Sequence, residues 1–201
     1  MPVIPTKNNL LSAKRSLTLA NVGYELMDRK RNILVREITA LIDEARDVQS
    51  HIDATFAEAY DALEAANITL GIDAVNAIAE SVPKDDTISI RYRSVMGVEI
   101  PLLNRVDEKP RLYYGFASSN SMLDEAYIRF TEVKKLTRVL AELETTIYRL
   151  AYAIRKTQKR ANALSNIIIP NITDTVKFIT DALEEKDREE FVRLKVIKAQ
   201  K

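Results

Sequence analysis

The fold of this chain is decided by the stretch from Leu10 to Ala66, which has the sequence LLSAKRSLTLANVGYELMDRKRNILVREITALIDEARDVQSHIDATFAEAYDALEAA. Alternating steps of three and four residues through this stretch fall on apolar side chains, and only Arg31 and Thr55 interrupt the series. A 3.5-residue period held over about eight heptads predicts a left-handed coiled coil rather than an ordinary globular helix. The predicted seam consists of Leu10, Ala13, Leu17, Ala20, Tyr24, Met27, Arg31, Leu34, Ile38, Leu41, Ala45, Val48, Ile52, Thr55, Ala59, Ala62 and Ala66.

A second apolar series lies in the C-terminal part of the chain and predicts a second long helix. Its spacing resumes beyond Pro170, which favours a kinked continuation of the helix over a stop. Ser121, three residues before Asp124, is the expected N-cap of this helix. The series consists of Val133, Leu136, Leu140, Leu143, Ile147, Leu150, Ile154, Thr157, Ala161, Leu164 and Ile168, then Ile172, Val176, Ile179 and Leu183, and finally Phe191, Leu194 and Ile197.

Neither helix can bury its apolar stripe alone, so we predict that the two pair with each other in antiparallel orientation. The expected fold is all-α, a long antiparallel two-helix left-handed coiled coil on the order of 100 Å in length, with a small β-hairpin in the middle segment. We assign residues 1–82 to the first helix, 83–120 to the hairpin and a loop, and 121–201 to the second helix.

Arg31 occupies a seam position, so a partner is expected for it. If Pro83 and Ser121 mark the turn end, Arg31 lies near Asp174 and forms an ion pair with it. The alternative is that the stem of Arg31 lies along the seam while its charge reaches solvent.

The middle segment has a different pattern. Residues Thr87 to Val95 alternate at period two, Met96-Gly97 follows, and a second β-rich run extends from Val98 to Leu103. This arrangement predicts a hairpin, in which Pro101 restricts the second strand to an edge position. An isolated hairpin is marginally stable in water, so we expect it to pack on the helices or on a partner. Residues 104–120 are expected to form a loop.

The composition excludes several classes of site. The 201 residues include no Cys and only four widely separated Gly, and the formal net charge is +1. A disulfide scaffold, a Cys-based zinc site or nucleophile and a glycine-rich phosphate loop are therefore excluded. We expect no signal peptide, since no N-terminal apolar stretch resembles one, and the longest uncharged run, of 13 residues, is too short for a membrane span. We expect a cytoplasmic chain with no catalytic, cofactor or metal site.

Three charged features have a functional interpretation and a simpler one. His51 could act as a base or ligand, but a solvated helix flank is favoured. The acidic residues from Glu184 to Glu190 could bind a cation, but interleaved Lys186 and Arg188 favour a solvated, salt-bridged face. The basic clusters at residues 29–31 and 155–160 contain no stacking aromatic, so solvated faces or protein contacts are favoured over nucleic acid.

Six segments distributed along the chain stand out together. They are PTKNNLL at residues 5–11, KR at 14–15, DRKRNIL at 28–34, SVMGVEIP at 94–101, KRANALSNIIIP at 159–170 and EEFVRLK at 189–195. In this order and spacing they resemble the D subunit of the V-type and archaeal-type rotary ATPases. Together they cover both predicted helices and the middle of the chain.

The resemblance implies that the chain is a central rotor shaft that binds no nucleotide. The end formed by both termini would enter the hexameric head, built from the A and B subunits. The other end would bind the F subunit of the central stalk and the component, C or d, that links to the membrane ring. ATP hydrolysis would turn the shaft, or H+ or Na+ flow would turn it in reverse. The family's hairpin is associated with stimulating hydrolysis, which makes Val95, Met96, Gly97 and Val98 candidates for a coupling element.

A rotating tip needs contacts that exchange easily, so charged side chains are expected to engage the head. The candidates are Lys7, Lys14, Arg15, Lys195 and Lys198. Residues 1–36 carry seven basic and two acidic residues, a net charge of +5, whereas residues 37–86 carry two and twelve, a net charge of −10. We expect no nucleic-acid partner and no membrane insertion. The alternatives are a prefoldin-like coiled-coil chaperone, whose tips would expose apolar residues, and a purely structural scaffold, which leaves the hairpin unexplained.

Overall fold

The computed structural model describes residues 4–83, 88–103, 111, 113–115 and 119–199. Their elements, in chain order, are helix α1 (Lys7–Leu70), helix α2 (Ile72–Ser81), strands β1 (Ile90–Val95) and β2 (Val98–Leu103), helix α3 (Ser121–Ala163), a π-helical turn (Leu164–Ile168) and helix α4 (Ile169–Ala199). The long helices and the two-stranded hairpin confirm the predicted fold class. Most of the predicted loop at residues 104–120 lies outside the described residues.

The chain divides into two compact units. The terminal unit comprises Met1–Leu34 and Ile154–Lys201, and the central unit comprises Val35–Ala153. Because α1 runs from residue 7 to residue 70, it contributes to both units.

In the terminal unit the first part of α1 pairs with α3 and α4 in antiparallel orientation. A Cβ atom at Gly23 would lie 3.9 Å from Leu164, and Arg31 lies opposite Gln158, its NH1 donating to Gln158 Oε1 over 2.9 Å. Residue numbers thus rise along one helix as they fall along the other. The core of this unit consists of buried Ala20, Leu34, Thr157, Ala161 and Ile179.

In the central unit the same antiparallel pairing joins the second part of α1 to α3. Arg129 forms an ion pair with Glu58 at 2.9 Å, and Asn120 Nδ2 donates to Thr69 Oγ1 over 2.6 Å. The buried side chains along this seam are Ile52, Thr55, Ala59, Ala66, Ala126, Val133, Leu143, Thr146 and Leu150. Buried seam threonines fill positions that would otherwise be apolar, and Thr55 satisfies its hydroxyl by donating to the His51 carbonyl over 2.8 Å.

The predicted seam of α1 is confirmed along its full length, because every residue of the series from Leu10 to Ala66 is buried or half-buried. The second series is confirmed from Val133 to Leu164 and again from Ile172 to Leu183. The prediction was wrong at Ile168, which is 41% exposed.

The π-helical turn explains why Ile168 leaves the seam. Pro170 has no N–H to donate to the carbonyl four residues before it, which weakens the α-helical ladder there. The Ile169 N–H instead donates to the Leu164 carbonyl, five residues earlier, and the helix gains one residue in that turn. The seam therefore passes from Leu164 to Ile172, eight residues rather than seven, and continues without a break in the helix.

The predicted pairing of Arg31 with Asp174 was wrong. The guanidinium of Arg31 donates to Gln158 and Asn32 and forms an ion pair with Asp28 at 2.6 Å. The error came from the register, since Gly71, with φ of 86°, ends α1 at Leu70. Pairing with α3 therefore begins near Thr69 and Asn120, not near Pro83.

The segment after Gly71 folds into α2, which packs on the end of α1 and the start of α3. Its Val75 forms a buried cluster with Ala66 and Leu123, and Leu63, Leu70, Ile78 and Tyr114 pack around these three. Asn120, not Ser121 as predicted, caps α3, because its Oδ1 accepts the Leu123 N–H over 2.9 Å. The same Asn120 side chain also donates to Thr69, so one residue caps α3 and fastens it to α1.

Candidate functional site

The C-terminal part of α4 extends beyond the helix that it pairs with. Within the terminal unit the pairing places Lys7, the first residue of α1, near Asp181, and all residues from 184 to 199 are exposed. We call residues 184–199 the overhang. It leaves bulky apolar side chains in solvent, namely Phe191, Val192, Leu194, Val196 and Ile197. The predicted seam positions Phe191, Leu194 and Ile197 are therefore exposed rather than paired with α1, which begins only at Lys7.

The five basic residues predicted for the tip are exposed and all lie in the terminal unit, but they form two groups. Lys7, Lys14 and Arg15 are on the first turns of α1, whereas Lys195 and Lys198 are on the last turns of α4. Because Lys7 lies near Asp181, Lys195 is about fourteen residues further along α4, or roughly 20 Å of helix. Sequence reasoning did not reveal this separation, because it requires the register.

The hairpin forms as predicted, with Val95 paired to Val98 across a two-residue turn. Met96 has φ of 51° and Gly97 has φ of 75°, the positive values of a type I′ turn. Gly97 adopts this conformation freely, but a Met in the left-handed region is strained. The Met96 side chain is 44% exposed, and Val95 and Val98 beside it are half-buried. The four candidate coupling residues thus form one turn, in which Met96 and Gly97 are exposed.

Two charged residues of α3 hold the outer edge of β2. Glu142 Oε2 accepts the Leu103 N–H over 3.0 Å, and Arg149 NH1 donates to the Glu99 carbonyl over 2.9 Å. The Arg149 guanidinium also lies 5.5 Å from the centre of the Tyr92 ring. The two α3 residues are seven positions apart, about 10 Å of helix, which matches the length of β2 between Glu99 and Leu103.

The contacts of Glu142 and Arg149 with β2 also explain why Pro101 is tolerated in that strand. Pro101 is buried between Glu99 and Leu103 of β2 and pairs with Tyr92 of β1. Its nitrogen therefore lies on the strand edge that faces α3. Because proline has no N–H, no backbone donor is left unpaired at that point. The expectation that the hairpin packs on the helices is confirmed by these contacts. Neither Glu142 nor Arg149 was singled out from the sequence, because their spacing gives no sign of a strand on that face.

Two tyrosines join the segment before α3 to the helix itself. The Tyr114 hydroxyl donates to Asp124 Oδ1 over 2.7 Å, and the Tyr127 hydroxyl donates to the Arg111 carbonyl over 3.0 Å. Their rings meet edge to face at 5.9 Å. Burial, with the hydrogen bond and charge of Asp124, raises the pKa of the Tyr114 phenol above its usual value. Burial likewise raises the pKa of Tyr127.

Two further charged features, His51 and the acidic residues of α4, lie on solvated helix faces. His51 is exposed on α1. On α4, Arg188 pairs with Glu184 and Glu185 at 3.6 and 3.8 Å, and Arg193 pairs with Glu189 at 3.6 Å, as a solvated salt-bridged face requires. Within the described ranges, no group of three His, Cys, Asp or Glu side chains is arranged to hold a metal ion.

None of the described helices has both the length and the apolar character that a membrane span requires.

Comparison with known proteins places these features in a family. The model of the family described as the ATP synthase D subunit matches residues 9–199. The chain is 43% identical over 198 residues to the V-type ATP synthase D subunit of Thermotoga neapolitana, covering 98% of each chain. It is 39% identical over 202 residues to the A-type ATP synthase D subunit of Thermococcus sibiricus, covering 99% of this chain and 94% of the relative.

A third relative, the A-type ATP synthase D subunit of Thermococcus kodakarensis, is 40% identical over 200 residues, with 98% of this chain and 94% of the relative covered. None of these matches supports the prefoldin-like alternative. The long paired helices and the hairpin agree with the resemblance noted in the sequence. The chain therefore belongs to the ATP synthase D subunit family, the central-stalk subunits of V-type and A-type ATPases.

Proposed function

We propose that this chain is the rotor shaft of the central stalk and transmits torque between the catalytic head and the membrane ring. The observation that supports this most directly is the α1 seam, in which every residue of the series from Leu10 to Ala66 is buried or half-buried. A helix whose apolar stripe is interlocked with a partner helix resists twisting and bending far better than a single helix does. Torque transmission requires that stiffness.

The chain acts without catalysis of its own. Its helices pack through apolar seams, and the charged residues described above pair with neighbours on the same or the opposing helix, contact the hairpin, or face solvent. The catalytic work would belong to the A and B subunits of the head, with which the terminal unit would engage. The overhang is suited to this engagement because it combines exposed apolar residues with Lys195 and Lys198, while Lys7, Lys14 and Arg15 add a second basic group.

The hairpin is the proposed coupling element, with Val95, Met96, Gly97 and Val98 at its turn. The F subunit and the component, C or d, that links to the membrane ring would bind elsewhere on the chain, which would be cytoplasmic and peripheral to the membrane. We propose three functional segments on this basis, the N-terminal helical segment at 1–82, which contains α1 and α2, the hairpin and loop at 83–120, and the C-terminal helical segment at 121–201. Direction of rotation and the coupled ion, H+ or Na+, would be set by other subunits.

Direct observation of rotation tests the proposal. The chain has no Cys, so a single Ser89→Cys variant offers one unique attachment point, and Ser89 is exposed just before β1. The complete ATPase head, assembled with this variant and fixed to a surface, would carry a biotin-linked bead on the introduced thiol. We expect the bead to rotate in one direction when ATP is added and to stop when ATP is removed.

The matched control carries the bead on an immobilised subunit of the head and should show no rotation. Stationary beads on Ser89→Cys complexes that hydrolyse ATP at the normal rate would contradict the proposed role.

A separate test of the tip reverses the charges of Lys7, Lys14 and Arg15 together, which should weaken engagement with the head. Unchanged ATPase coupling in that variant would show that these three residues are not needed for engagement with the head. It would not contradict the proposed role of the chain as the shaft.

A further inference from the structure

The hairpin has two long edges, and they differ in what lies beside them. The β2 edge faces α3, where Glu142 and Arg149 bond to its backbone. The β1 edge meets no further strand in the part of the chain that the structure describes, because the sheet there contains β1 and β2 alone. Every residue of β1 from Ile90 to Ser94 is exposed. An uncovered strand edge carries backbone groups to which another strand can bond.

The register of the hairpin shows which backbone groups of β1 point outward. In an antiparallel pair, residues that bond across the ladder alternate with residues whose N–H and C=O groups point away from the partner strand. Glu99 and Leu103 present their backbone groups to α3, so they belong to the outward-pointing set of β2. The residues opposite this set are Ser94, Tyr92 and Ile90. The N–H and C=O groups of these three residues therefore point outward from β1.

The side chains of β1 separate into two faces of different character. Arg91 and Arg93 lie on one face, and the residues of β2 opposite them are apolar. Both arginines are exposed, and among the described residues no carboxylate forms an ion pair with either. The other face carries Ile90, which is 50% exposed, and Tyr92, which is 59% exposed. The strand thus offers unpaired positive charge on one face and exposed apolar surface on the other.

Contacts with α3 hold the open edge in position. Glu142 and Arg149 fix β2 near both of its ends, and Ile100 between these contacts is buried. β1 is in turn paired with β2 along its whole length. The edge is therefore formed before any partner arrives, which lowers the entropic cost of binding.

We propose that the outer edge of β1 binds an extended segment of another protein, in which Asp or Glu alternates with apolar residues. The segment adds a third strand to the sheet, and its backbone bonds to Ile90, Tyr92 and Ser94. Its carboxylates lie beside Arg91 and Arg93, and its apolar side chains lie on the opposite face. The inference goes beyond the proposed function, which assigns only the turn of the hairpin to coupling and gives this edge no role.

The side chains of β1 favour an acidic strand over two other occupants. If two copies of β1 paired in antiparallel orientation about Tyr92, Arg91 of each copy would lie opposite Arg93 of the other, and like charges directly opposite are destabilising. A nucleic acid would need an open aromatic ring on which a base can stack. The Arg149 guanidinium already lies over the Tyr92 ring, 5.5 Å from its centre. A row of backbone donors and acceptors is matched best by an extended polypeptide.

Binding of synthetic peptides to the purified full-length chain tests the proposal, with fluorescence anisotropy of a labelled peptide as the measurement. The probe is a short peptide in which Glu and Val alternate, with both ends blocked. One matched control alternates Lys and Val, and another contains the same Glu and Val residues in two separate blocks. We expect the alternating Glu peptide to bind about tenfold more tightly than either control, because it alone presents carboxylates on one face and apolar groups on the other. Equal binding of the three peptides would overturn the proposal.

Methylation of the peptide backbone shows whether binding occurs by strand addition. A strand bonds to its neighbour through every second residue, so methyl groups on those nitrogens remove the bonds, whereas methyl groups on the other nitrogens do not. Two versions of the alternating Glu peptide are compared, one methylated at the Val nitrogens and the other at the Glu nitrogens. We expect one version to lose binding and the other to retain it. Equal binding of the two would contradict strand addition.

Charge reversal on β1 tests the part played by its arginines. The double change Arg91→Glu and Arg93→Glu should weaken binding of the alternating Glu peptide about tenfold. It should also strengthen binding of the alternating Lys peptide, a gain that shows the strand still forms. The matched control is Arg29→Glu with Arg36→Glu, two exposed arginines of α1 outside the hairpin, and it should change neither affinity. Equal losses in the two double variants would overturn the assignment to β1.

Two further results would identify a different occupant and overturn the inference. One is tighter binding of a labelled oligothymidine than of the peptide, with that binding lost in the Arg91→Glu and Arg93→Glu variant. The other is a dimer of the chain in analytical ultracentrifugation that Tyr92→Pro dissociates, since this change removes an outward N–H of β1. None of these assays involves rotation, so their failure leaves the shaft role intact. Stationary beads in the rotation experiment would contradict the shaft role and leave this inference standing.

Discussion

The C-terminal ends of α1 and α4 carry similar apolar side chains but differ in what covers them. At the end of α1, Gly71 interrupts the helix, and Val75 of α2 packs in a buried cluster with Ala66 and Leu123. At the end of α4, the overhang leaves Phe191 67% and Leu194 65% exposed, because α1 begins too late to reach them. The heptad spacing indicates which face of a helix is apolar, but that face is buried only where another helix packs against it.

The same heptad spacing of apolar residues can therefore serve two purposes, burial within the chain or contact with a partner. The covered end contributes to folding, since its apolar groups leave water within the chain itself. The bare end contributes nothing of that kind to the isolated chain and is available to a partner. Substitutions should therefore affect the two ends differently, and the following experiments test that difference in order of decreasing effect.

The largest effect is expected from removing a leucine at each end. Leu123→Ala removes a side chain that is only 7% exposed and should lower the free energy of unfolding by about 2 to 5 kcal/mol. Leu194→Ala should change it by no more than about 0.5 kcal/mol, because that side chain is already in water. Chemical denaturation of the purified chain measures both. Equal losses would mean that the overhang is covered within the chain.

The next largest effect concerns the glycine that ends α1. Gly71→Ala should destabilise the chain by roughly 1 to 2 kcal/mol, since a residue with a Cβ is strained at φ of 86° even though nothing lies within 4 Å of that Cβ. Gly23→Ala should act in the opposite direction and stabilise the chain by about 0.5 to 1 kcal/mol, because Gly23 is inside a helix and its added Cβ would meet Leu164 at an ordinary 3.9 Å. Thermal unfolding of the two variants shows whether each substitution raises or lowers stability. A change in the same direction in both would contradict the conclusion that Gly71 requires a positive φ and that Gly23 is an ordinary helical residue.

A smaller effect tests which residue caps α3 at the covered end. Asn120→Ala should cost about 1 kcal/mol, because it removes both the acceptor for the Leu123 N–H and the donor to Thr69. Ser121→Ala should change stability by only a few tenths of a kcal/mol, as expected of an exposed helical position. A greater loss in Ser121→Ala than in Asn120→Ala, measured by denaturant titration, would reverse the assignment of the cap.

The smallest effect is a pH dependence at the covered end. Because burial and Asp124 raise the folded-state pKa of Tyr114, its contribution to stability is fully present below the ordinary tyrosine pKa of about 10 and is lost as the pH rises above it. The original chain should therefore lose more stability above that pH than Tyr114→Phe does. Tyr148→Phe, which removes an exposed phenol, is the control and should behave like the original chain. Parallel pH profiles for all three proteins would refute the prediction.

The helices and the hairpin could be predicted because their signals are local. Apolar residues recur every 3.5 residues in α1 and every second residue beside Met96-Gly97. Both spacings are properties of the local sequence and do not depend on what packs against it. The continuation of the helix beyond Pro170 was also predictable, since the apolar spacing resumes there. The π-helical turn that permits it was not, because it depends on how one extra residue fits the opposing helix.

The sequence by itself determined which residues are apolar on which face, that two long helices exist and that they pair in antiparallel orientation. The tertiary structure decided the register, which placed Arg31 beside Gln158 rather than near Asp174. It also decided where the pairing ends, which leaves the overhang bare, and it brought Glu142 and Arg149 to the edge of β2. The physical reason is that a heptad repeat looks the same after every shift of seven residues, so contacts between residues that do not repeat, such as Asn120 with Thr69 and Arg31 with Gln158, select one alignment.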